Sequence, residues 1–419
     1  MGLAEPTTTG RPVATHGGRR RLRICYLVPG HGLLSTVGPS RNVLSLARAL
    51  SAYAEVTVAF RYRLEDHLPA GLELVELEPE RRPAHAIDDA AMRGMGLLEF
   101  ARYLARLRRF LRESRGRFDV FLEKSWILSG HLSAYGLGRG IPGVPVENVV
   151  PSAARHVDAG LAKRLRVELG RRLAGPALRR VPVVLAETEQ LKAQIVEVWG
   201  VAPERVLVVP LGVDRDLFRP RDQGEARRAL GLGLDRTILL YVGVLDETHT
   251  LDGIIEALLE RRPPGVELHV VGDGPRRAAY AERASTSDGS VILHGRVPHT
   301  SVPTWIAAAD LCLAPYEPRA FATGALGYAT MKVPEYLSVG RAVAGSPSAR
   351  MRELLRGGEL GFEVQADAAS WRAFLAELPD RDRLAAMGRA ALRYPQPSWD
   401  DTARGYLAAC ERALASLGR

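Results

Sequence analysis

Short apolar runs rich in Val, Ile and Leu alternate with helical patterns along nearly the whole chain, and many of those runs stop at a glycine. A strand whose residues are almost all apolar is buried on both faces, which points to a parallel sheet covered by helices. The first unit is Arg23-Ile24-Cys25-Tyr26-Leu27-Val28, then Pro29-Gly30-His31-Gly32, then a second glycine turn at Val37-Gly38-Pro39-Ser40. Apolar residues at 43, 46, 47 and 50 follow at helical spacing, so strand, glycine-rich loop and helix open a doubly wound α/β domain. Further buried strands are expected at 56–60, 72–77, 120–123, 144–150, 183–187 and 206–209. Leu97, Phe100, Leu104, Leu107 and Leu111 form one helical stripe, with Arg102, Arg106, Arg109 and Arg112 on the other side. We read it as a helix covering the sheet with a solvated Arg face; a basic helix on an anionic membrane surface is the alternative.

The second half repeats the alternation more cleanly. Ile238-Leu239-Leu240-Tyr241-Val242 ends at Gly243, and Val266-Glu267-Leu268-His269-Val270-Val271 ends at Gly272-Asp273-Gly274-Pro275. Val291-Ile292-Leu293 runs into His294-Gly295-Arg296-Val297, and Leu311-Cys312-Leu313-Ala314 into Pro315-Tyr316. Glycines just past strand ends mark where ligands bind in open α/β sheets. The chain divides on this pattern into a polar tail at 1–20, a first Rossmann-like domain at 21–213, a second at 214–395, and a closing helical segment at 396–419 that is expected to pack back toward the first domain.

Composition narrows the partners. At 419 residues two domains are the default, and the formal charge of +9, with 53 Arg against 4 Lys, favours anionic ligands. No Arg-rich block with interleaved aromatics and no zinc-finger spacing occurs, so nucleic acid is not expected as a partner. Cys25, Cys312 and Cys410 are far apart and read as buried thiols of a reducing, cytoplasmic compartment, with peripheral contact at the inner face of the membrane left open. No apolar run is long enough to span a bilayer.

The stretch Ala329-Thr330-Met331-Lys332-Val333-Pro334-Glu335-Tyr336-Leu337-Ser338-Val339-Gly340 reads as a loop and a short helix over about 331–339, closed by Gly340. Backbone N–H groups at a helix start suit a phosphate, here with Thr330, Met331 and Lys332 at the turn. Glu335 lies one turn further in, where a carboxylate accepts hydrogen bonds from a diol such as a ribose.

In order and spacing, these motifs resemble the retaining family 4 glycosyltransferases with two facing Rossmann-like domains, the GT-B fold. The residues that carry the resemblance are Gly212-Val213-Asp214…Phe218-Arg219-Pro220, Val271-Gly272-Asp273-Gly274-Pro275, Gly295-Arg296-Val297, Ala309-Asp310-Leu311-Cys312-Leu313-Ala314-Pro315 and Lys332-Val333-Pro334-Glu335-Tyr336…Gly340-Arg341-Ala342-Val343. The resemblance implies a donor site in which Glu335 binds the nucleotide ribose, Lys332 and the helix start hold the distal phosphate, the Arg296-Val297 backbone reads the base, Gly243 leaves room for the donor phosphates, and Gly272 is a further donor-binding residue. It implies no metal and no cofactor beyond the nucleotide sugar, a UDP- or GDP-sugar. The D-x-D spacings Asp214-Arg215-Asp216 and Asp380-Arg381-Asp382 are read as structural.

Two departures from the family pattern stand out. The usual cations after the first glycine are replaced by Val244 and His249-Thr250, which leaves His249 as a candidate for the leaving phosphate. The first glutamate of the family's paired motif falls on Gly327, with Glu317 and Arg319 upstream as substitutes. Acceptor contacts are expected from Gly38, His131 and Glu147 in the first half. The acceptor itself stays open among a lipid-linked glycan, a capsule or other cell-envelope polysaccharide, and a small natural product. An epimerase or phosphorylase of the same fold, or a non-catalytic nucleotide-sugar-binding partner of another transferase, are the rival readings.

Overall fold

A computed structural model of the chain describes residues 15–16, 19–30, 32–33, 38–64, 70–80, 96–150, 161–261, 263–320 and 329–418. Most of the 1–20 tail, part of the glycine-rich loop around 31–37, and Gly327 lie outside the described residues. The N-terminal half runs β1 (Arg23–Val28), α1 (Gly38–Leu50), β2 (Glu55–Phe60), β3 (Glu73–Glu76), α2 (Leu97–Glu113), β4 (Val120–Lys124), α3 (His131–Leu137), β5 (Gly143–Glu147), α4 (Leu161–Leu178), β6 (Val184–Ala186), α5 (Glu189–Trp199) and β7 (Val206–Val208). The C-terminal half runs α6 (Gln223–Leu230), β8 (Thr237–Val244), α7 (Asp252–Glu260), β9 (Val266–Asp273), α8 (Arg277–Ser285), β10 (Val291–Gly295), α9 (Val302–Ala308), β11 (Leu311–Ala314), α10 (Lys332–Ser338), β12 (Ala342–Gly345), α11 (Ala349–Leu354), β13 (Gly361–Glu363), α12 (Ala368–Ala376), α13 (Arg381–Ala391) and α14 (Trp399–Ala415).

Both sheets are parallel and share one topology. The first is ordered β3-β2-β1-β4-β5-β6-β7 and the second β10-β9-β8-β11-β12-β13. In each, the order reverses between the first and fourth strands, which opens a crevice at the carboxyl ends of β1 and β4 and of β8 and β11. This is the α/β, doubly wound architecture that the alternating runs imply. The stripe on α2 is consumed by the sheet: Tyr103, Leu107 and Leu111 pack with Cys25, Leu27 and Phe121. Among the described residues no helix is long and apolar enough to cross a membrane.

Two corrections concern local geometry. Gly38 is not a turn residue; it is the first residue of α1 and its φ is not positive. Pro39, lacking an N–H, fits the first helical turn, where that donor has no partner to lose. The strand expected at 144–150 ends at Glu147, and Glu187 falls just past β6.

The chain crosses between halves twice, at one place. The Val213 amide donates to the Pro397 carbonyl at 2.8 Å, and a Cβ on Gly212 would collide with the Ser398–Trp399 backbone, so only glycine lets the strands of this crossing touch. Beyond it α14 returns to the first half, burying Ala403, Tyr406, Ala409 and Cys410 in the core that holds Tyr26, Val43 and Leu46.

Asp310 is the electrostatic anchor of the second half. It is buried, pairs with the buried Arg227 at 2.6 Å, accepts the Ile238 amide at 2.7 Å, and also meets Gln223 and Arg381. Removing one partner of a buried pair strands the other charge, so Asp310→Ala is expected to cost about 3–5 kcal/mol. A shift of the urea unfolding midpoint measures this; an unchanged midpoint contradicts it.

Candidate active site

At the carboxyl ends of β8 and β9, Gly243 and Gly272 sit side by side in register, with φ of 154° and 155°. A Cβ on Gly272 would overlap the Gly243 carbonyl oxygen. A Cβ on Gly243 would lie 2.9 Å from Tyr241 Oη and 3.0 Å from Lys332 Nζ. The two glycines therefore let the strand ends close up and let Lys332 reach over them. Lys332 Nζ donates to Tyr241 Oη at 3.2 Å, and lies 4.4 Å from the centroid of that ring and 5.4 Å from that of Tyr316. Tyr241 in turn donates to the Val244 carbonyl at 2.6 Å. Burial pulls the Lys332 ammonium down to about 7, against the opposing pull of Asp246 and Glu335.

Glu335 is buried one turn along α10, with its amide bonded to the Met331 carbonyl at 3.1 Å. Burial raises its carboxyl to about 7, opposed by Arg41 and Lys332. Thr330, just before α10, is buried and accepts the Tyr316 hydroxyl at 2.6 Å. His249 belongs to the same neighbourhood. Its Nδ1 lies 2.8 Å from Asp246 Oδ1, which also accepts the Thr248 and His249 amides at 2.9 Å, and its ring centroid is 5.2 Å from that of Tyr316. The Glu317 amide bonds to the Thr248 carbonyl at 3.0 Å, so Glu317 stands beside the His249 loop, whereas Arg319 is exposed. Arg296 and Val297 follow β10, with Arg296 exposed and Val297 packed against the core.

The sequence reading missed the contribution of the opposite domain. Arg41, in the first turns of α1, lies 3.4 Å from Glu335 Oε1 and contacts His299 Nε2. The cleft between the halves holds a cavity of about 150 Å³, lined among others by Arg41, Arg48, Asp214, Phe218, His299 and Glu335. Met331 lines it too. His299 is held neutral, down at about 3, by burial and by Arg41. Only the proximity of Arg41 to Gly38 could have drawn attention to it. Of the D-x-D pairs, Asp380 caps α13 through the Arg383 amide, while Asp214 faces this cavity and accepts the Leu217 amide.

Of the acceptor candidates, Glu147 is fully buried at the end of β5 and accepts from Ser129 at 3.1 Å; its carboxyl is pushed up to about 8 by burial and by Glu123. His131 opens α3, and the charges that act on it are Arg108 and Arg180, which with burial lower its pKa; the carboxylates at the strand ends are not among them. Gly38 has nothing within 4 Å of its Cβ direction.

Family models cover both halves: Glycosyltransferase Family 4 matches residues 37–217, and Glycosyl transferases group 1 matches residues 236–379. The D-inositol 3-phosphate glycosyltransferase of Thermobispora bispora is 29% identical over 73% of this chain and 73% of its own, and that of Kribbella flavida 28% identical over 99% of each. Among solved structures, the sucrose-phosphate synthase of Thermosynechococcus elongatus superposes with a TM-score of 0.73 at 19% identity, covering 94% of this chain and 100% of that one. Anabaena HepE in complex with UDP-glucose gives 0.66 at 15% identity, covering 95% and 99%. The chain belongs to the family 4, group 1 type glycosyltransferases, and its two sheets form a GT-B fold.

Proposed function

We propose that this glycosyltransferase moves a sugar from a nucleotide-sugar donor, a UDP-sugar before a GDP-sugar, to a hydroxyl of an acceptor held by the N-terminal half, with retention of anomeric configuration and without a metal. What carries it is the pair on one turn of α10. Lys332 stands over the glycine strand ends, where a diphosphate would lie, and Glu335 faces the cleft, where ribose hydroxyls would donate to it. The HepE complexes with UDP and UDP-glucose, of the same fold, support a uridine donor. The names of the inositol-phosphate relatives support a small polyol acceptor over a lipid-linked or polymeric glycan of the cell envelope.

In this mechanism Lys332 and His249, the latter oriented by Asp246, stabilise charge on the leaving diphosphate as the anomeric bond breaks. The acceptor hydroxyl adds to the anomeric carbon from the face the diphosphate leaves, and its proton passes to a diphosphate oxygen. No side-chain base is needed for that transfer.

Isothermal titration against UDP-, GDP-, ADP- and TDP-sugars tests the donor assignment; saturable binding to one of them is expected, and binding to none overturns it. Transfer is expected to survive excess EDTA, and proton NMR of the product to show the donor's anomeric configuration. Loss of transfer in EDTA contradicts the charge argument. Val244→Arg, which adds a cation at a position 37% exposed beside the strand end, separates a decayed site from a rebuilt one. A change in kcat of less than about tenfold is expected if Lys332 already holds the diphosphate.

A further inference from the structure

We propose that the carboxyl edge of the N-terminal sheet recognises a polyol ring bearing no phosphate, held by Lys124, Glu147, Glu187 and Asn42. The proposal rests on the glycosyl-transfer reading and deepens its acceptor side. Three adjacent strands, β4, β5 and β6, finish at one edge, and each delivers charge there: Glu123 and Lys124, Glu147, and Glu187. None of these four is more than 3% exposed. Charges this deep are retained where they are paired and hydrogen-bonded. Glu123 is fully served, accepting from the Trp126 indole at 2.7 Å, the Ser133 hydroxyl at 2.6 Å and the Ser133 amide at 2.7 Å. The others are not. Among the described residues Lys124 Nζ, Glu147 Oε1 and Asn42 Oδ1 are buried with no hydrogen-bond partner, and Glu187 accepts a long 3.4 Å bond from Asn42 Nδ2. Lys124 is drawn electrostatically to Glu187 and Glu147, so the unpartnered ammonium and the carboxylates converge on one place.

Helix α1 ties that place to the cleft. Asn42 reaches Glu187, and its neighbour Arg41 reaches Glu335 in the other domain. Asn42 of the cluster is thus the sequence neighbour, on α1, of the residue that meets the proposed ribose carboxylate. Its chemistry is that of alternating acceptors and one donor. Ring hydroxyls can donate to Glu147 Oε1, Glu187 and Asn42 Oδ1 and accept from Lys124 Nζ. A phosphate on the same ring would be stripped of water beside the carboxyl groups of Glu123, Glu147 and Glu187, with Lys124 alone among the described residues of the cluster to offset its charge. The relatives named for inositol 3-phosphate would differ from this chain on that point.

The test uses the full-length protein with a bound UDP-sugar and matched probes: myo-inositol against D-myo-inositol 3-phosphate, and glucosamine against glucosamine 6-phosphate. At least one phosphate-free ring is expected to bind saturably, and to do so at least about tenfold more tightly than its phosphorylated partner, as the loss of one charge-assisted contact would give. Tighter binding of the phosphorylated members, or no saturable binding of either phosphate-free ring, overturns the proposal. The near-isosteric Glu147→Gln is expected to raise the acceptor KM at least about tenfold with a smaller change in kcat; an unchanged KM overturns the role of Glu147. Donor affinity measured in the same series separates the two readings. A protein that binds no nucleotide sugar loses the donor assignment, whereas one that binds donor and prefers phosphorylated rings loses only this one.

Discussion

Lys332→Met is expected to lower kcat by about 10²–10³-fold, the range for removing one preorganised charge-stabilising donor from an enclosed site. The effect should be large because the neighbouring positions offer little in reserve. Val244 is neutral, and His249 carries charge only when protonated. The packing also fixes where the ammonium sits: Tyr241 Oη anchors it at 3.2 Å, and the missing Cβ of Gly243 gives it access to the strand end. Methionine keeps most of the side chain's volume, so a fall in kcat with an unchanged melting temperature isolates the charge. A fall of less than about threefold would place the diphosphate elsewhere. The same group sets one limb of the pH profile. With its pKa down at about 7, Lys332 is charged below that value and loses its charge as pH rises through it, so kcat/KM should decline on the alkaline side. Lys332→Arg, which stays charged, should flatten that limb.

The strand-and-helix alternation was legible because burial on both faces of a parallel sheet forces continuous apolar runs, and glycine stops them where side chains would collide. The expected strand 238–242 lies inside Thr237–Val244, and the helix expected at 331–339 spans Lys332–Ser338. Glu335 and Lys332 could be found because they sit on one short helix whose start and stop are both written locally. Arg41 could not, since its partner Glu335 is 294 residues away and no periodicity links an Arg on one domain to a carboxylate on another. The strand-end cluster was legible only in part. Glu147 stood out in an apolar run, while Lys124 and Glu187 looked like ordinary boundaries, because a charge at a strand end is normally solvated. Groups from outside the strands meet them there, Asn42 of α1 at Glu187 and Ser129 before α3 at Glu147, and neither pairing is visible from spacing. Gly38 misled for a related reason: glycine before proline suits a turn and a first helical turn equally, and the buried Val43, Leu46 and Leu50 decide for the helix.

Glu335→Ala is expected to weaken nucleotide-sugar binding by about 30- to 150-fold, the equivalent of about 2–3 kcal/mol for hydrogen bonds to an ionised carboxylate. That carboxylate is in contact with Arg41 at 3.4 Å, so a ribose diol and the guanidinium compete for the same oxygens. Arg41→Ala should therefore tighten donor binding in the wild-type background and leave it unchanged in the Glu335→Ala background. That non-additivity is what a shared carboxylate requires. Proton linkage supplies a second check. Burial raises the Glu335 carboxyl to about 7, so it is neutral below that pH and ionised above it. If the ribose needs the ionised form, donor affinity falls as pH drops through 7, approaching about tenfold per unit on the acid side. Combined with the alkaline loss at Lys332, kcat/KM should be bell-shaped with its maximum near 7, and the two limbs belong to the pair because each charge helps hold the other. Glu335→Gln should remove the acid limb and keep the alkaline one. Calorimetric titration of UDP-sugar across that pH range would sink the ribose assignment if the acid limb survived the substitution.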